Sequence, residues 1–178
     1  KVVSNAGFMN TVKRLLPEAS RLKFNMQSWT EQVEYSSASL CVYAGFKGST
    51  KELGLNTTNL WIYPNGDHEG NMQRFMRDPN AEIPLTYISF PSTKDPEWDQ
   101  RFPGKSTVEI VSMTDMSWFE QWSGSTWNQR GEDYDVYKQK LLDGLLEKLY
   151  ARMPHLRDAM DYCELSTPLS TQHFQLNA

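Results

Sequence analysis

The sequence contains few residues of the kinds that build metal centres or disulfide frameworks. It has two cysteines, Cys41 and Cys163, which lie far apart, and its three histidines show no metal-ligand spacing. We therefore expect no metal site. Two cysteines without a supporting pattern are expected to be free, half-buried thiols rather than a disulfide.

An excess of positive charge and long apolar runs are also absent. The 18 Lys and Arg residues face 22 Asp and Glu residues, which gives a net charge of −4 and argues against a nucleic-acid surface. No apolar run approaches the roughly 20 residues of a membrane-spanning helix. There is neither an initiator methionine nor a visible signal peptide, but the termini of an internal piece would not indicate localisation. A cytoplasmic or membrane-peripheral localisation is the working expectation.

The usual catalytic signatures are missing as well. The sequence has no Gly-x-Gly-x-x-Gly turn, no Walker loop, no Cys-x-x-Cys pair and no nucleophile elbow. His68, between Asp67 and Glu69, is expected in a solvated loop. Glu109, in a predicted strand, is expected to point to water from a half-exposed sheet. The residues alone therefore indicate no catalytic group.

Large apolar side chains, by contrast, are plentiful. The sequence has 6 Trp, 8 Tyr, 8 Phe and 8 Met residues. Such side chains fill cores, and they also line irregular apolar cavities.

The pattern of elements favours an α+β fold. Four segments have the alternation or composition of strands: 39–46, 59–63, 85–90 and 106–114. Loops, turns and short helices separate them, which favours a mostly antiparallel sheet of about four to six strands, covered by helices.

One long amphipathic helix is predicted over 132–153, where apolar residues recur at three- and four-residue steps. Short helices are predicted over 8–16, 17–24 and 70–77. The aromatic segment 117–127 is interpreted as a helical turn or a loop, and the stretch 163–178 as a polar tail.

The first seven residues predict the end of a buried strand. Val2-Val3 precedes Ser4-Asn5-Ala6-Gly7, a sequence that suits a tight turn. Because so short a strand is not stable alone, we expect its partner strands to lie in the remainder of a larger protein.

An antiparallel sheet, a long covering helix and many bulky apolar side chains together can enclose an apolar ligand. The residues alone favour a module that binds a lipophilic ligand or substrate. A stand-alone, non-enzymatic binding module is one alternative. An interaction scaffold with exposed aromatic residues is another.

Several short motifs resemble those of the FAD-dependent phytoene desaturase, carotenoid isomerase and retinol saturase family, and most of all its isomerase and saturase branch. The motifs occur in the family's order: Val2-Val3-Ser4-Asn5-Ala6-Gly7 with Leu15-Leu16-Pro17, Ala44-Gly45-Phe46, Asn59-Leu60-Trp61-Ile62-Tyr63-Pro64, Phe90-Pro91-Ser92-Thr93-Lys94-Asp95-Pro96 and Ser166-Thr167-Pro168-Leu169-Ser170-Thr171. The similarity covers nearly the whole chain.

This resemblance implies an internal piece of an FAD-dependent oxidoreductase that acts on carbon–carbon double bonds of a lipophilic isoprenoid, such as a carotenoid or retinoid. Residues 1–16 would be the edge of the FAD-binding domain, 17–165 the substrate-binding domain, and 166–178 a return segment. The Gly-rich FAD fingerprint has no counterpart in the chain. The piece alone is therefore not expected to be active.

The resemblance also implies which residues lie near the ligands. Ser4, Asn5, Ala6 and Gly7 would pass close to the flavin. The expected substrate-binding residues are Trp61, Tyr63, Phe90, Trp118, Phe119, Trp122 and Thr167. A lipophilic small molecule is the expected partner, with peripheral membrane contact for substrate access and no nucleic acid.

Overall fold

A five-stranded sheet forms the centre of the protein. The computed structural model describes residues 1–33 and 37–175. Its strands are β1 (Ala38–Lys47), β2 (Leu60–Ile62), β3 (Thr86–Ser89), β4 (Lys105–Thr114) and β5 (Met160–Ser166). They lie in the order β2-β3-β4-β1-β5, and each pair of neighbours is antiparallel. The predicted α+β class with a mostly antiparallel sheet is confirmed.

Alternation decides which side chains of β1 are buried. Leu40, Val42, Ala44 and Phe46 point to the core and are each at most 4% exposed. The residues between them point to the opposite face, since successive side chains of a strand alternate. β1 pairs with β4 over its whole length.

Helices surround the sheet. In chain order the α-helices are α1 (Phe8–Asn10), α2 (Glu18–Lys23), α3 (Met26–Gln32), α4 (His68–Arg77), α5 (Trp98–Arg101), α6 (Glu132–Tyr150), α7 (Leu156–Ala159) and α8 (Pro168–Gln175). A π-helical segment, Thr11–Leu15, continues α1, and 3-10 turns occupy Pro91–Thr93 and Met116–Trp122.

Helix α6 covers the core face of the sheet, as its amphipathic pattern predicts. Leu145 and Leu149 of this helix are completely buried in the cluster that contains the inward side chains of β1 and β4. Burial of each such leucine contributes about 1.5–3 kcal/mol relative to an exposed one. The helix begins with three acidic residues in its first turn, where the helix dipole favours negative charge.

The aromatic segment after β4 belongs to the core. Phe119 is completely buried and Trp122 nearly so. The Trp122 ring stacks on Tyr137 of α6 with centroids 5.6 Å apart, and its Nε1–H donates to Asp133 Oδ2 at 2.8 Å. These contacts attach the segment to the first turns of α6.

The prediction of a polar tail from residue 163 is wrong. Residues 160–166 form strand β5, which pairs with β1, and residues 168–175 form helix α8. A register shift opposite Gly45 and Phe46 interrupts the two-residue period of β5, which conceals the strand in the sequence. Residues 176–178 of the predicted tail lie outside the described part of the chain.

The N-terminal segment differs from a buried strand. Within the described residues, Val2 and Val3 pair with no strand, and their side chains are 97% and 94% exposed. Helix α3, which the sequence pattern did not indicate, buries none of its residues. Among the described residues, no helix combines the length and apolar character required to cross a membrane.

Candidate functional site

The sheet face that points away from α6 carries a broad set of side chains, which are exposed or half-buried except for the buried Ser89. We call it the open sheet face. Its residues, grouped by cross-strand register, are Trp61, Tyr87, Val111, Cys41 and Ser166 in one row, Ser89, Glu109, Tyr43 and Glu164 in the next, and Thr107, Gly45 and Tyr162 in a third. Aromatic, carboxylate and thiol groups therefore share one surface.

A cleft of about 470 Å³ lies where the open sheet face meets α8. We call it the α8 cleft. Its lining is mixed in character: Ser39, Cys41, Tyr43, Val111, Trp127, Glu164, Ser166, Ser170, Thr171, Phe174 and Gln175. The Trp127 ring packs edge-on against Phe174 of α8, with centroids 5.4 Å apart.

A second cleft of about 400 Å³ lies on the same face, and we call it the Gly45 cleft. Its lining is mainly apolar: Tyr43, Ala44, Gly45, Pro91, Trp98, Thr107, Val108, Glu109 and Tyr162. Tyr43 lines both clefts and therefore marks the boundary between them. Each volume falls in the range of roughly 300–1,000 Å³ that is typical of small-molecule sites.

A hydrogen bond joins two polar side chains at this boundary. The Cys41 thiol donates to Glu109 Oε1 at 3.2 Å. Burial raises the pKa of the Cys41 thiol to about 12, and the Glu109 carboxylate adds to that rise while Tyr43 opposes it. Because the thiolate is the nucleophilic form, Cys41 is a neutral hydrogen-bond donor at neutral pH and a poor nucleophile.

The hydroxyls of Tyr43 and Tyr162 on the open sheet face are likewise neutral. The neighbouring Cys41 thiol, together with burial, raises the pKa of Tyr43 to about 12. Tyr162 donates its hydroxyl to Glu164 Oε2 at 2.6 Å, and this bond raises the pKa of Tyr162. Near pH 7 the face therefore offers neutral hydroxyl and thiol groups beside two carboxylates.

The described residues show no metal centre and no disulfide. In residues 1–33 and 37–175, no group of three or more His, Cys, Asp or Glu side chains is arranged to hold a metal ion. His68 begins α4 and packs edge-on against Tyr63, with centroids 4.4 Å apart. Cys41 and Cys163 are both free, as predicted. They point to opposite faces of the sheet, because Cys163 pairs with the inward residue Ala44.

Two of the residues predicted to bind substrate are exposed. Trp61 of β2 is 59% exposed and packs against Tyr87, with ring centroids 4.7 Å apart. Tyr63, just after β2, is 42% exposed.

The other five lie in or against the core. Phe90, Phe119 and Trp122 are buried on the α6 side, and Trp118 packs edge-on against Phe75 at 5.0 Å. Thr167 is completely buried, and its hydroxyl lies 2.8 Å from the Tyr134 hydroxyl. None of the seven residues lines the α8 cleft or the Gly45 cleft.

The segment predicted to lie near the flavin is exposed and close to the end of α8. Ser4 Oγ and Thr11 Oγ1 are 2.6 Å apart. The Asn10 amide donates to the Ala6 carbonyl at 3.0 Å and to the Gln175 carbonyl at 3.2 Å. The structure therefore brings residues 4–7 beside the C-terminal end of α8.

Sequence reasoning missed the residues that form the Gly45 cleft. Gly45 enters the sequence analysis only as part of a motif, although a glycine inside a strand often marks a place where a ligand or another backbone approaches closely. Trp98 falls between the third and fourth predicted strands, where the sequence pattern indicates no regular element, and Tyr162 precedes the predicted polar tail. Glu109 lies on the open sheet face, as expected, but it is half-buried and accepts the Cys41 bond.

Curated relatives match nearly the whole chain. All-trans-retinol 13,14-reductase from Danio rerio is 31% identical over 181 residues, and the proteins of that name from Rattus norvegicus and Homo sapiens are each 32% identical over 177 residues. Each match covers 97% of this chain and 29% of the relative. These matches support the predicted resemblance to retinol saturase, which is another name for all-trans-retinol 13,14-reductase. The chain spans less than a third of the relatives' length.

A protein named inactive all-trans-retinol 13,14-reductase, from Danio rerio, is also 31% identical, over 173 residues. Similarity at this level therefore does not by itself separate active from inactive relatives. No protein-family model matches the chain.

Proposed function

We propose that this chain is the substrate-binding portion of an FAD-dependent oxidoreductase that acts on carbon–carbon double bonds of a retinoid or a related isoprenoid. The observation that carries the proposal is the match to all-trans-retinol 13,14-reductases along 97% of the chain. The Gly45 cleft of the open sheet face supports it, because an apolar substrate needs a sheltered, mainly apolar surface.

The flavin is assigned to the parent protein, and only residues 4–7 of this chain are proposed to approach it. These residues are small and exposed, and Gly7 has φ +82, a conformation that glycine adopts without strain. A turn of this kind fits backbone that lies against a planar ring. A bound flavin supplies hydride transfer, while this chain would bind the substrate and exclude water.

The proposed domain division follows the same reasoning. Residues 1–16 belong to the edge of the FAD-binding domain, 17–165 to the substrate-binding domain, and 166–178 to the return segment. The hydrogen bond from the Asn10 amide to the Gln175 carbonyl supports this division, because it joins the first segment to α8 in the last.

Of the seven residues predicted to bind substrate, we propose that two keep that role directly. Trp61 and Tyr63 are exposed and can contact a ligand directly. The other five, which lie in or against the core, are proposed to act indirectly, by holding the elements that form the binding surface.

We also propose that helices α1–α3 provide peripheral membrane contact for substrate access. This region exposes large apolar side chains, among them Leu22, Phe24 and Trp29. Four basic residues interleave with them: Lys13, Arg14, Arg21 and Lys23. Co-sedimentation of the full-length protein with anionic vesicles tests this, and loss of binding in a Phe24→Ser/Trp29→Ser variant is expected.

The decisive experiment uses the complete protein that contains this chain. We expect the purified protein to show flavin absorption bands in the blue and to convert all-trans-retinol to a product with one fewer double bond when supplied with a reductant. The isolated chain with added FAD is expected to be inactive. Absence of flavin from the intact protein would overturn the proposal.

A second candidate is a stand-alone binding module for a lipophilic ligand. It is favoured by the presence of both clefts within this one chain. Tight retinoid binding by the isolated chain, with no flavin in the full-length protein, would select this candidate instead.

A further inference from the structure

We propose that the Gly45 cleft binds the hydroxyl end of a polyene alcohol, with the chain of the ligand between Trp98 and Tyr162 and its hydroxyl donating to the Glu109 carboxylate. The inference rests on the proposed function. It adds the residues that hold the substrate and the chemical group that they recognise.

The space for the ligand exists because residue 45 has no side chain. Gly45 lies in β1 between Thr107 of β4 and Tyr162 of β5. A Cβ at this position would meet only Tyr162 Cβ, at an ordinary contact distance of 3.6 Å. The backbone therefore does not require glycine. A larger side chain at this position would instead occupy the space at the bottom of the cleft.

The aromatic walls are held in place before any ligand arrives. Trp98 Nε1–H donates to the Lys105 carbonyl at 2.7 Å, and the Trp98 ring lies 4.6 Å from Phe102. The Tyr162 hydroxyl is fixed by its bond to Glu164. Rigid walls favour binding, because little side-chain entropy is lost when the ligand enters.

Glu109 supplies the charged acceptor in this mainly apolar cleft. Its Oε1 accepts the Cys41 thiol, and within the described residues no hydrogen bond is made by its second oxygen, Oε2. A carboxylate oxygen accepts a hydrogen bond from an alcohol but repels another carboxylate. The site is therefore expected to prefer an alcohol to the corresponding acid.

The test measures dissociation constants of the full-length protein for three probes: all-trans-retinol, the hydrocarbon that lacks its hydroxyl, and all-trans-retinoic acid. Glu109→Gln keeps the shape of the side chain but removes its charge. Gly45→Val places a side chain in the space at the bottom of the cleft. The matched controls are Glu147→Gln, an exposed carboxylate on α6, and Gly144→Val, where an added Cβ meets nothing within 4 Å.

Glu109→Gln is expected to weaken retinol binding about 10-fold, because the amide oxygen can still accept from the ligand hydroxyl but the hydrogen bond loses its charged acceptor. It should leave hydrocarbon binding unchanged and strengthen binding of the acid. Gly45→Val should weaken retinol and hydrocarbon alike, and both controls should bind as the unchanged protein does. Circular dichroism and flavin content report whether each variant is folded.

The outcomes separate the two proposals. If the unchanged protein contains flavin and converts retinol but neither variant alters binding, the cleft assignment is overturned and the proposed function stands. If the protein lacks flavin and yet retinol binding responds to Gly45→Val and Glu109→Gln, the cleft stands and the enzyme proposal falls. Absence of any retinoid binding overturns both.

Discussion

The hydroxyl groups of Tyr134 and Thr167 lie 2.8 Å apart inside the core. Tyr134 belongs to the first turn of α6, and Thr167 joins β5 to α8. This hydrogen bond therefore connects the helix that covers one face of the sheet to the segment that leads to the helix beside the other face.

Removal of the Tyr134 hydroxyl is expected to destabilise the protein. Tyr134→Phe leaves the buried Thr167 hydroxyl without its partner, which should lower the free energy of unfolding by about 1–3 kcal/mol. Urea denaturation followed by circular dichroism measures this loss.

Tyr137→Phe is the matched control for that measurement. Among the described residues, the Tyr137 hydroxyl is buried and makes no hydrogen bond, so its removal should be neutral or slightly stabilising. Equal losses in the two variants would contradict the role given to the Tyr134–Thr167 bond.

The packing of α6 gives a second prediction. Leu145→Ala removes a completely buried side chain and should cost about 2–5 kcal/mol of unfolding free energy, through lost burial and the cavity left behind. Val136→Ala, on the same helix but 65% exposed, should change stability by no more than about 0.5 kcal/mol. If urea titrations gave similar losses of unfolding free energy for the two variants, α6 would not cover the sheet as described.

Arg130 is expected to hold α8 in position. Its guanidinium donates to the Leu169 carbonyl at 3.3 Å and to Ser125 Oγ at 2.9 Å, and it lies over the Tyr134 ring. Arg130→Lys should not preserve these contacts, because a single ammonium group cannot bind Ser125 and the Leu169 carbonyl together as the planar guanidinium does. Hydrogen exchange of α8 amides should therefore accelerate in this variant.

Arg157→Lys provides the comparison for that experiment. Arg157 bridges Glu147 at the surface, with side chains 55% and 61% exposed, and exposed ion pairs contribute little. Hydrogen exchange of the α8 amides should therefore be unchanged in Arg157→Lys. Unaltered exchange in Arg130→Lys as well would show that α8 is held by other contacts.

Cys41 should be nearly unreactive in the folded protein. Burial raises its pKa to about 12 from an ordinary value of 9.0, and Glu109 contributes to the rise. At pH 8 the folded protein should therefore carry roughly a thousandth of the thiolate of an ordinary cysteine. Alkylation by iodoacetamide, followed by mass spectrometry in a Cys163→Ala background, should be slow until urea unfolds the chain.

The same pKa predicts a loss of stability at alkaline pH. The folded state favours the protonated thiol, so the contribution of Cys41 to the free energy of unfolding is complete below about pH 9. It is lost as the pH rises towards 12. Cys41→Ala should flatten this part of the stability profile. Rapid alkylation of folded protein at pH 8 would contradict both expectations.

Sequence patterns were most successful where one period extends over a whole element. The alternation of β1 and β4 and the helical stripe of α6 predicted these elements to within three residues at either end. They failed at β5, because a register shift beside Gly45 breaks the alternation, and at α3, because a helix without a buried side carries no apolar stripe.

The candidate site was predicted less well than the fold. Trp122 and Phe119 are large and aromatic, and nothing in their local pattern tells a core position from a cavity wall. The clefts depend on β5 lying next to β1 and on Trp98 reaching the sheet from helix α5, between β3 and β4. Such contacts join residues distant in sequence, and local periodicity carries no information about them.

The sequence by itself determined the α+β class, the face of β1 that is buried, the helix that covers it and the resemblance to retinol saturase. These follow from local periodicity and from motif order. Only the tertiary structure decided that the other face stays open, that Gly45 leaves a floor there and that Cys41 meets Glu109. The physical reason is that strand order and register, which are properties of the whole chain, determine which side chains share a surface.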